Sequence, residues 1–252
     1  MRLPTFYQRT THSSEAQKAS GPKVPPEFQS AYQDELAHIN RRAARALSLA
    51  AAVIYVVFFF TGLDYLFDPD GLYYFLAIRL SVAAVCIGAF FAANHPKLAN
   101  HGALVSSFTL IACGFGVALM IRRLGSDSPY YVGLMISYLG CMMIPAGLAV
   151  VLSTCLVVYA SYLVPALLFD LNDINLKIFL NNNQFQIFTI AAVAVVSHFL
   201  HTTRRNEILN RLTIAKQAKA LEERDEYKRE FIANITGAFP FCGLYLSMIE
   251  PW

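Results

Sequence analysis

An all-helical, membrane-spanning fold is predicted by three features: the hydrophobic share of the sequence, the placement of its few charges and the length of its apolar runs. Apolar residues make up 56% of the 252 positions and charged residues 15%, an imbalance unusual for a soluble domain. Only eleven acidic or basic residues occur between positions 46 and 201, whereas positions 204–230 alone carry fourteen. Six apolar runs, 46–63, 71–93, 102–121, 130–144, 148–169 and 183–201, meet or approach the length of a span. About 20 residues are needed, because roughly 30 Å of hydrocarbon is crossed at 1.5 Å per residue. Each run reads as helix, since a lone span must satisfy its own backbone hydrogen bonds.

Positions 1–26 mix Ser, Thr, Gln, Lys and Pro without an apolar core and predict a disordered cytosolic tail, not a signal peptide. In 27–45, Phe28, Tyr32, Leu36 and Ile39 recur three or four apart, the stripe of an amphipathic helix lying along a membrane surface. The basic cluster Arg41, Arg42 and Arg45 follows, and then the membrane block 46–201. Its fourth and fifth runs form one uncharged stretch over 130–169, about 60 Å long as a helix and so twice the hydrocarbon thickness. It must fold back, and Pro145-Ala146-Gly147 supplies the break.

The positive-inside rule sets the orientation. Arg41, Arg42 and Arg45 put the N-terminal side in the cytosol, and Arg204, Arg205 and Arg211 do the same after the last run, which requires an even number of spans. Six spans place all six acidic residues of the block in outer loops at 64–70, 122–129 and 170–182, with Arg122 and Arg123 opposing the rule. Tyr65, Phe67, Tyr73, Tyr74, Tyr130, Tyr131, Tyr162 and Phe169 fall near the predicted outer interface, the level aromatic rings favour. The expected location is the inner (cytoplasmic) membrane, multi-pass, with both ends cytosolic.

Beyond 201 the chain reads as one polar helix over 202–236, with no Pro or Gly to stop it. Ile208, Leu212 and Ala215 follow a 4-3 spacing, and Ile214, Ala218 and Leu221 start a second that continues through Asp225 and Lys228 to Ile232 and Ile235. This imperfect heptad stripe predicts a parallel coiled coil and hence a homodimer. A net charge of +3 without interleaved basic and aromatic residues argues against nucleic acid. Five cysteines stand singly at 86, 113, 141, 155 and 242 and read as small packing residues.

The helix ends in Lys228-Arg229-Glu230-Phe231-Ile232-Ala233-Asn234-Ile235-Thr236. This run resembles the approach to the phosphoacceptor motif of sensor histidine kinases, in which Phe-x-Ala-Asn-(Ile or Met)-(Ser or Thr) precedes the phosphorylated His. Phe231, Ala233, Asn234, Ile235 and Thr236 carry the resemblance. It implies a membrane sensor feeding a dimeric four-helix bundle and an ATP-binding domain, with a response-regulator pathway beyond. Gly237 stands where the family has its histidine, and Ala238, Pro240, Phe241 and Cys242 replace the Glu, Arg, Thr and Pro that follow; only Phe239 matches. Gly237 and Ala238 offer neither the nucleophile nor the proton acceptor of that chemistry. Gly237 and Pro240 also disfavour helix, by about 1 and 3 kcal/mol. No Gly-rich phosphate loop occurs in the sequence. Positions 237–252 therefore read as a degenerate remnant of the phosphoacceptor region, left by a natural truncation, a changed reading frame or an engineered end. As it stands, the chain is expected not to phosphorylate itself.

Two further constellations are candidates for sensing or ligation. Arg79 is the one charge well inside a run, and Asp64 lies within reach in an antiparallel hairpin turning near Pro69, as a structural clamp or a ligand contact. His95, His101, His198 and His201 gather toward the predicted cytosolic face, with His198 and His201 at i, i+3; metal or haem ligation is the sharper reading and plain interfacial histidines the more ordinary one. No resident cofactor is expected. The function that follows is a membrane-embedded sensing module working in a lipid bilayer. A small transporter or channel and the sensor half of a membrane nucleotide cyclase are the alternatives. No internal repeat favours a transporter.

Overall fold

A computed structural model of the chain describes residues 24–125, 128–169 and 176–238; the predicted tail and the 237–252 remnant lie almost wholly outside them. Every regular element among the described residues is helical: α1 (Gln29–Phe60), α2 (Leu63–Phe67), α3 (Leu72–Asn94), α4 (Gly102–Leu124), α5 (Tyr131–Cys141), α6 (Leu148–Phe169) and α7 (Leu176–Ala238). Short 3-10 turns sit at Pro26–Phe28 and Pro96–His101. The chain divides into two units, residues 1–205 and 206–252.

Nothing in the sequence interrupts the helix between the predicted surface segment and the first run, so α1 covers both. Tyr32, Leu36 and Ile39 of its stripe, with Phe28 in the turn before it, are half-buried, and the same face continues through buried Ala44, Ser48, Ala52 and Tyr55. Gly62 ends the helix: its φ of 73° is left-handed, a conformation that costs a side chain strain and a glycine none. The chain then turns into α2 and back into α3.

Among the described residues, five helices are long and apolar enough to cross a membrane. The fourth predicted run is the exception. There α5 has 11 residues, about 16 Å of rise, and the chain leaves helical geometry before Pro145-Ala146-Gly147 and re-enters it at Leu148. The fold-back therefore falls where Pro and Gly predict it. At the far end α7 runs from the last apolar stretch through the linker sequence as one helix of 63 residues.

In the first unit α4 occupies the centre, packed against α1, α3, α5 and α6. Of its apolar stretch 56% is buried, against 33% or less in the other long helices. That position is possible because α4 is small-sided and two of its three hydroxyls are hydrogen-bonded locally, the buried Ser107 Oγ being the one without a partner among the described residues. Ser106 donates to the Gly102 carbonyl (3.0 Å), Thr109 to the Val105 carbonyl (2.9 Å), and Ser48 of α1 meets Thr109 at 3.0 Å. Hydrogen-bonded in this way, buried hydroxyls avoid the desolvation cost of unpaired ones.

Arg41 of α1 donates from Nε to the Ala93 carbonyl (2.9 Å) and from Nη2 to the Asn94 carbonyl (2.6 Å), capping the last turn of α3. Beside it Gly102 lets α4 begin against the α1 backbone: a Cβ there would lie 2.6 Å from the Asn40 carbonyl carbon. Backbone cannot rotate away as a side chain can. Gly102→Ala is expected to destabilise the detergent-solubilised chain by about 1–3 kcal/mol through overpacking. Gly88→Ala, where a Cβ meets nothing within 4 Å, is the matched control and is expected to cost nothing in the same unfolding experiment.

Candidate sensing site

Gly62 and the turn after α2 bring Asp64 back onto α3, and the predicted pairing with Arg79 is present. Arg79 donates from Nε to Asp64 Oδ2 and from Nη2 to Oδ1, both at 2.7 Å, and both side chains are buried, at 5% and 0% exposure. A third donor is Tyr130, whose hydroxyl hydrogen-bonds Asp64 Oδ1. Two rings flank the guanidinium, Tyr130 at 5.6 Å and Phe58 at 6.0 Å from its carbon. Tyr130 is itself held by its backbone N–H on Ser128 Oγ (3.3 Å) and by the Phe75 ring at 5.7 Å. The charges of Arg79 and Asp64 cancel within the cluster, the condition under which a buried pair is tolerated.

A second, exposed pair steadies the same turn. Arg123 of α4 donates to Asp68 Oδ2 (2.9 Å), while Asp68 Oδ1 accepts the Gly71 N–H (3.0 Å). The hydrogen bond from Arg123 holds the Asp68 carboxyl below the usual carboxylate range.

Next to the buried cluster is a cavity of about 440 Å³ between α1, α4 and α5, with Arg79 and Tyr130 in its wall. The rest of the wall is apolar, including Leu47, Ile54, Val117, Met120, Ile136 and Met143. Two other polar side chains reach it, and both are occupied: Tyr55 donates to the Cys113 carbonyl and Ser137 to the Gly133 carbonyl. The volume lies within the roughly 300–1,000 Å³ of small-molecule sites.

The short α5 separates this cavity from α7. At 100° per residue Gly133, Ile136, Ser137 and Gly140 share the cavity face, while Tyr131, Met135 and Tyr138 share the opposite one. Close approach to α4 needs the glycines, since a Cβ at Gly133 would lie 3.0 Å from Val117 and one at Gly140 2.7 Å from Leu110. On the other face Tyr131 donates to the Asn182 carbonyl and Tyr138 to Gln186 Oε1 at 2.6 Å. The Thr189 hydroxyl lies 3.0 Å from Met135 Sδ. From α6, Tyr159 donates to Asn183 Oδ1 at 2.9 Å, and Tyr162 stacks on Phe179. Sequence patterning had assigned Tyr130, Tyr131 and Tyr162 to a membrane interface. The pointer to the bonding role of Tyr131 was the polar run Asn181 to Gln184, with Gln186, inside an otherwise apolar stretch, whereas Tyr130 bonds Asp64 and Tyr162 stacks on Phe179. By contrast Tyr65, Phe67, Tyr73 and Tyr74 are exposed, as belt residues would be.

The remaining candidates do not converge on this site. His95, His101 and His198 are exposed and His201 is half-buried; no group of three His, Cys, Asp or Glu suited to a metal occurs among the described residues. Cysteines separated in sequence do meet: Cys86 and Cys113 are buried with their sulfurs 3.8 Å apart. In the second unit Phe231, Ala233, Asn234 and Ile235 are exposed on α7, and Thr236 and Gly237 lie within the same helix.

Residues 62–214, more than half of the chain, match the family model MASE8. No curated protein and no solved structure matches the chain.

Removing one member of the buried pair strands the other. Asp64→Ala and Arg79→Ala are each expected to cost about 3–5 kcal/mol in unfolding experiments, and Asp64→Leu/Arg79→Met less than the sum of the two. The Asp68 tie has a defined pH window. A depressed folded pKa gives stability that is present above the unfolded value of about 3.9 and lost as pH falls through the folded one. Thermal unfolding should therefore show no Asp68-dependent change from pH 8 to 5, and the wild-type advantage over Asp68→Asn should begin to shrink only below about pH 4 and vanish once pH has fallen through the depressed folded pKa.

Proposed function

We propose, from the premise that this chain belongs to the MASE8 family of membrane-associated sensor domains, that its bundle reports its own packing state to a paired output through α7. The observation that carries the reading is the position of α5, with one face on the cavity and the other hydrogen-bonded to the start of α7. A shift of α5 changes the partners of Asn182 and Gln186, and these residues belong to the helix that continues to Phe231-Ile232-Ala233-Asn234-Ile235-Thr236. That motif and its charged approach favour an output of the histidine-kinase type.

In this reading six segments cross the inner membrane, with α5 and the turn after it as the fourth, and both ends are cytosolic. Neutralisation of Arg123 by Asp68 reduces the one basic pair that opposes the orientation. Dimerisation follows from the stripe on α7: Ile214, Leu221, Ile232 and Ile235 are all exposed in the single chain, and a second copy would cover them. With Gly237 in place of the phosphoacceptor, the kinase chemistry belongs to whatever domain the helix is joined to.

Two measurements test the proposal. Single cysteines walked along 210–236 in a Cys242→Ser background should cross-link in native membranes with a 4-3 period that peaks at 214, 221, 232 and 235. In a fusion at Thr236 to an intact phosphoacceptor and ATP-binding domain, Tyr138→Phe should shift autophosphorylation several-fold. This substitution leaves Gln186 Oε1 without its donor, a cost of about 1–3 kcal/mol in one packing state. Aperiodic cross-linking, together with a fusion indifferent to Tyr138, would overturn it.

A further inference from the structure

Building on the sensor reading, we infer that the cavity between α1, α4 and α5 binds a single-chain amphiphile of the bilayer: an apolar chain with one neutral hydrogen-bonding head, held at the Arg79–Tyr130 end. Shape is the first argument. The lining of α1 runs from Leu47 to Phe58, about 16 Å of helix, so the space is elongated along that helix. A chain extending by about 1.2 Å per bond fills that length with roughly a dozen atoms.

Access is the second. Ile54 on α1, Val132 and Ile136 on α5 and Met143 in the turn after it are 44–60% exposed while also lining the cavity, so it opens sideways between these elements onto an apolar surface. A molecule already dissolved in lipid can enter there without passing through water.

Polarity is the third. Tyr55 and Ser137 have given their hydrogens to backbone carbonyls, which leaves the polar demand of the wall concentrated at Arg79 and Tyr130. Asp64 engages Nε and Nη2 of Arg79, so Nη1 is the guanidinium nitrogen outside the carboxylate pair. Charge decides the head group. Arg79 and Asp64 already cancel, so an anionic head would add an unpaired buried charge beside Asp64, and would strand Asp64 if it took Arg79 away. A hydroxyl or carbonyl meets the same donors without either penalty.

The test uses the full chain in nanodiscs and a twelve-carbon alcohol carrying a diazirine near its far end. Photolabel should concentrate in peptides covering 47–58 and 131–143, and 1-dodecanol should compete for it at least tenfold better than dodecanoate at pH 8. Ala50→Trp, which fills the cavity from its exposed rim, should abolish the labelling, and Ile136→Trp gives the same answer if the first variant fails to fold. Three results would overturn the inference. One is equal labelling of Leu80, Ile87 and Phe91 on α3, which marks annular lipid. Another is competition by dodecanoate as strong as by dodecanol. The third is self-cross-linking of Ile136→Cys that blocks the label, which marks a second copy of the chain as the occupant. Specific labelling with no effect of dodecanol on the kinase fusion would leave the binding site standing and remove the sensor reading instead.

Discussion

The buried contact between Asp64 and Arg79 is the constraint on which the first unit is organised. A lone arginine in an apolar helix would be drawn toward water, because it cannot shed its proton, and a lone aspartate beside it would be expelled or protonated. Each makes the other tolerable, and together they dictate the turn between α2 and α3. Tyr130, the third member, extends the constraint to the start of α5. The cluster thus fixes one end of three helices with a single carboxylate. Because its charges cancel, it does so without a field that would attract an ion into the bundle.

Much of this architecture was legible in the sequence, for physical reasons that can be named. Hydropathy locates helices in a membrane because the solvent enforces backbone self-sufficiency, and Pro145 and Gly147 together mark the fold-back because Pro removes a helical donor and Gly tolerates a turn. The Asp64–Arg79 pair was legible because a charge in an apolar run demands a partner. Other features depend on rotation and proximity, which one-dimensional patterning does not encode. Tyr131 and Tyr162 look like interface residues because an amphipathic ring suits either a headgroup layer or a buried hydrogen bond; only the partners on α7 distinguish the two. The cavity arises where three helices fail to fill space, and the meeting of Cys86 with Cys113 depends on the register of α3 against α4. Neither leaves a spacing signature.

The length of α5 separates expectation from structure most instructively. Composition alone gives a span over 130–144, yet the helix stops at Cys141 and the chain reaches α6 through a turn. Glycine at 133, 140 and 147 lowers helical propensity, and at 133 and 140 it also brings the helix close to α4. Tight seating and short length therefore share one cause. An element with few intrahelical hydrogen bonds, packed through glycine on one side and bonded through tyrosine on the other, takes its position from its neighbours.

The double fastening of the α1–α3 hairpin has a mechanical meaning. Arg41 closes it at one end on the Ala93 and Asn94 carbonyls; at the other Arg79 holds Asp64 of α2, the short helix that links α1 to α3, with the Phe58 ring of α1 against the guanidinium. A ladder with a rung at each end can neither shear nor splay without breaking a charged contact. In the proposed sensor the hairpin would be the stator of the first unit, and a spectroscopic ruler anchored on α1 or α3 would read the displacement of whatever carries its other end.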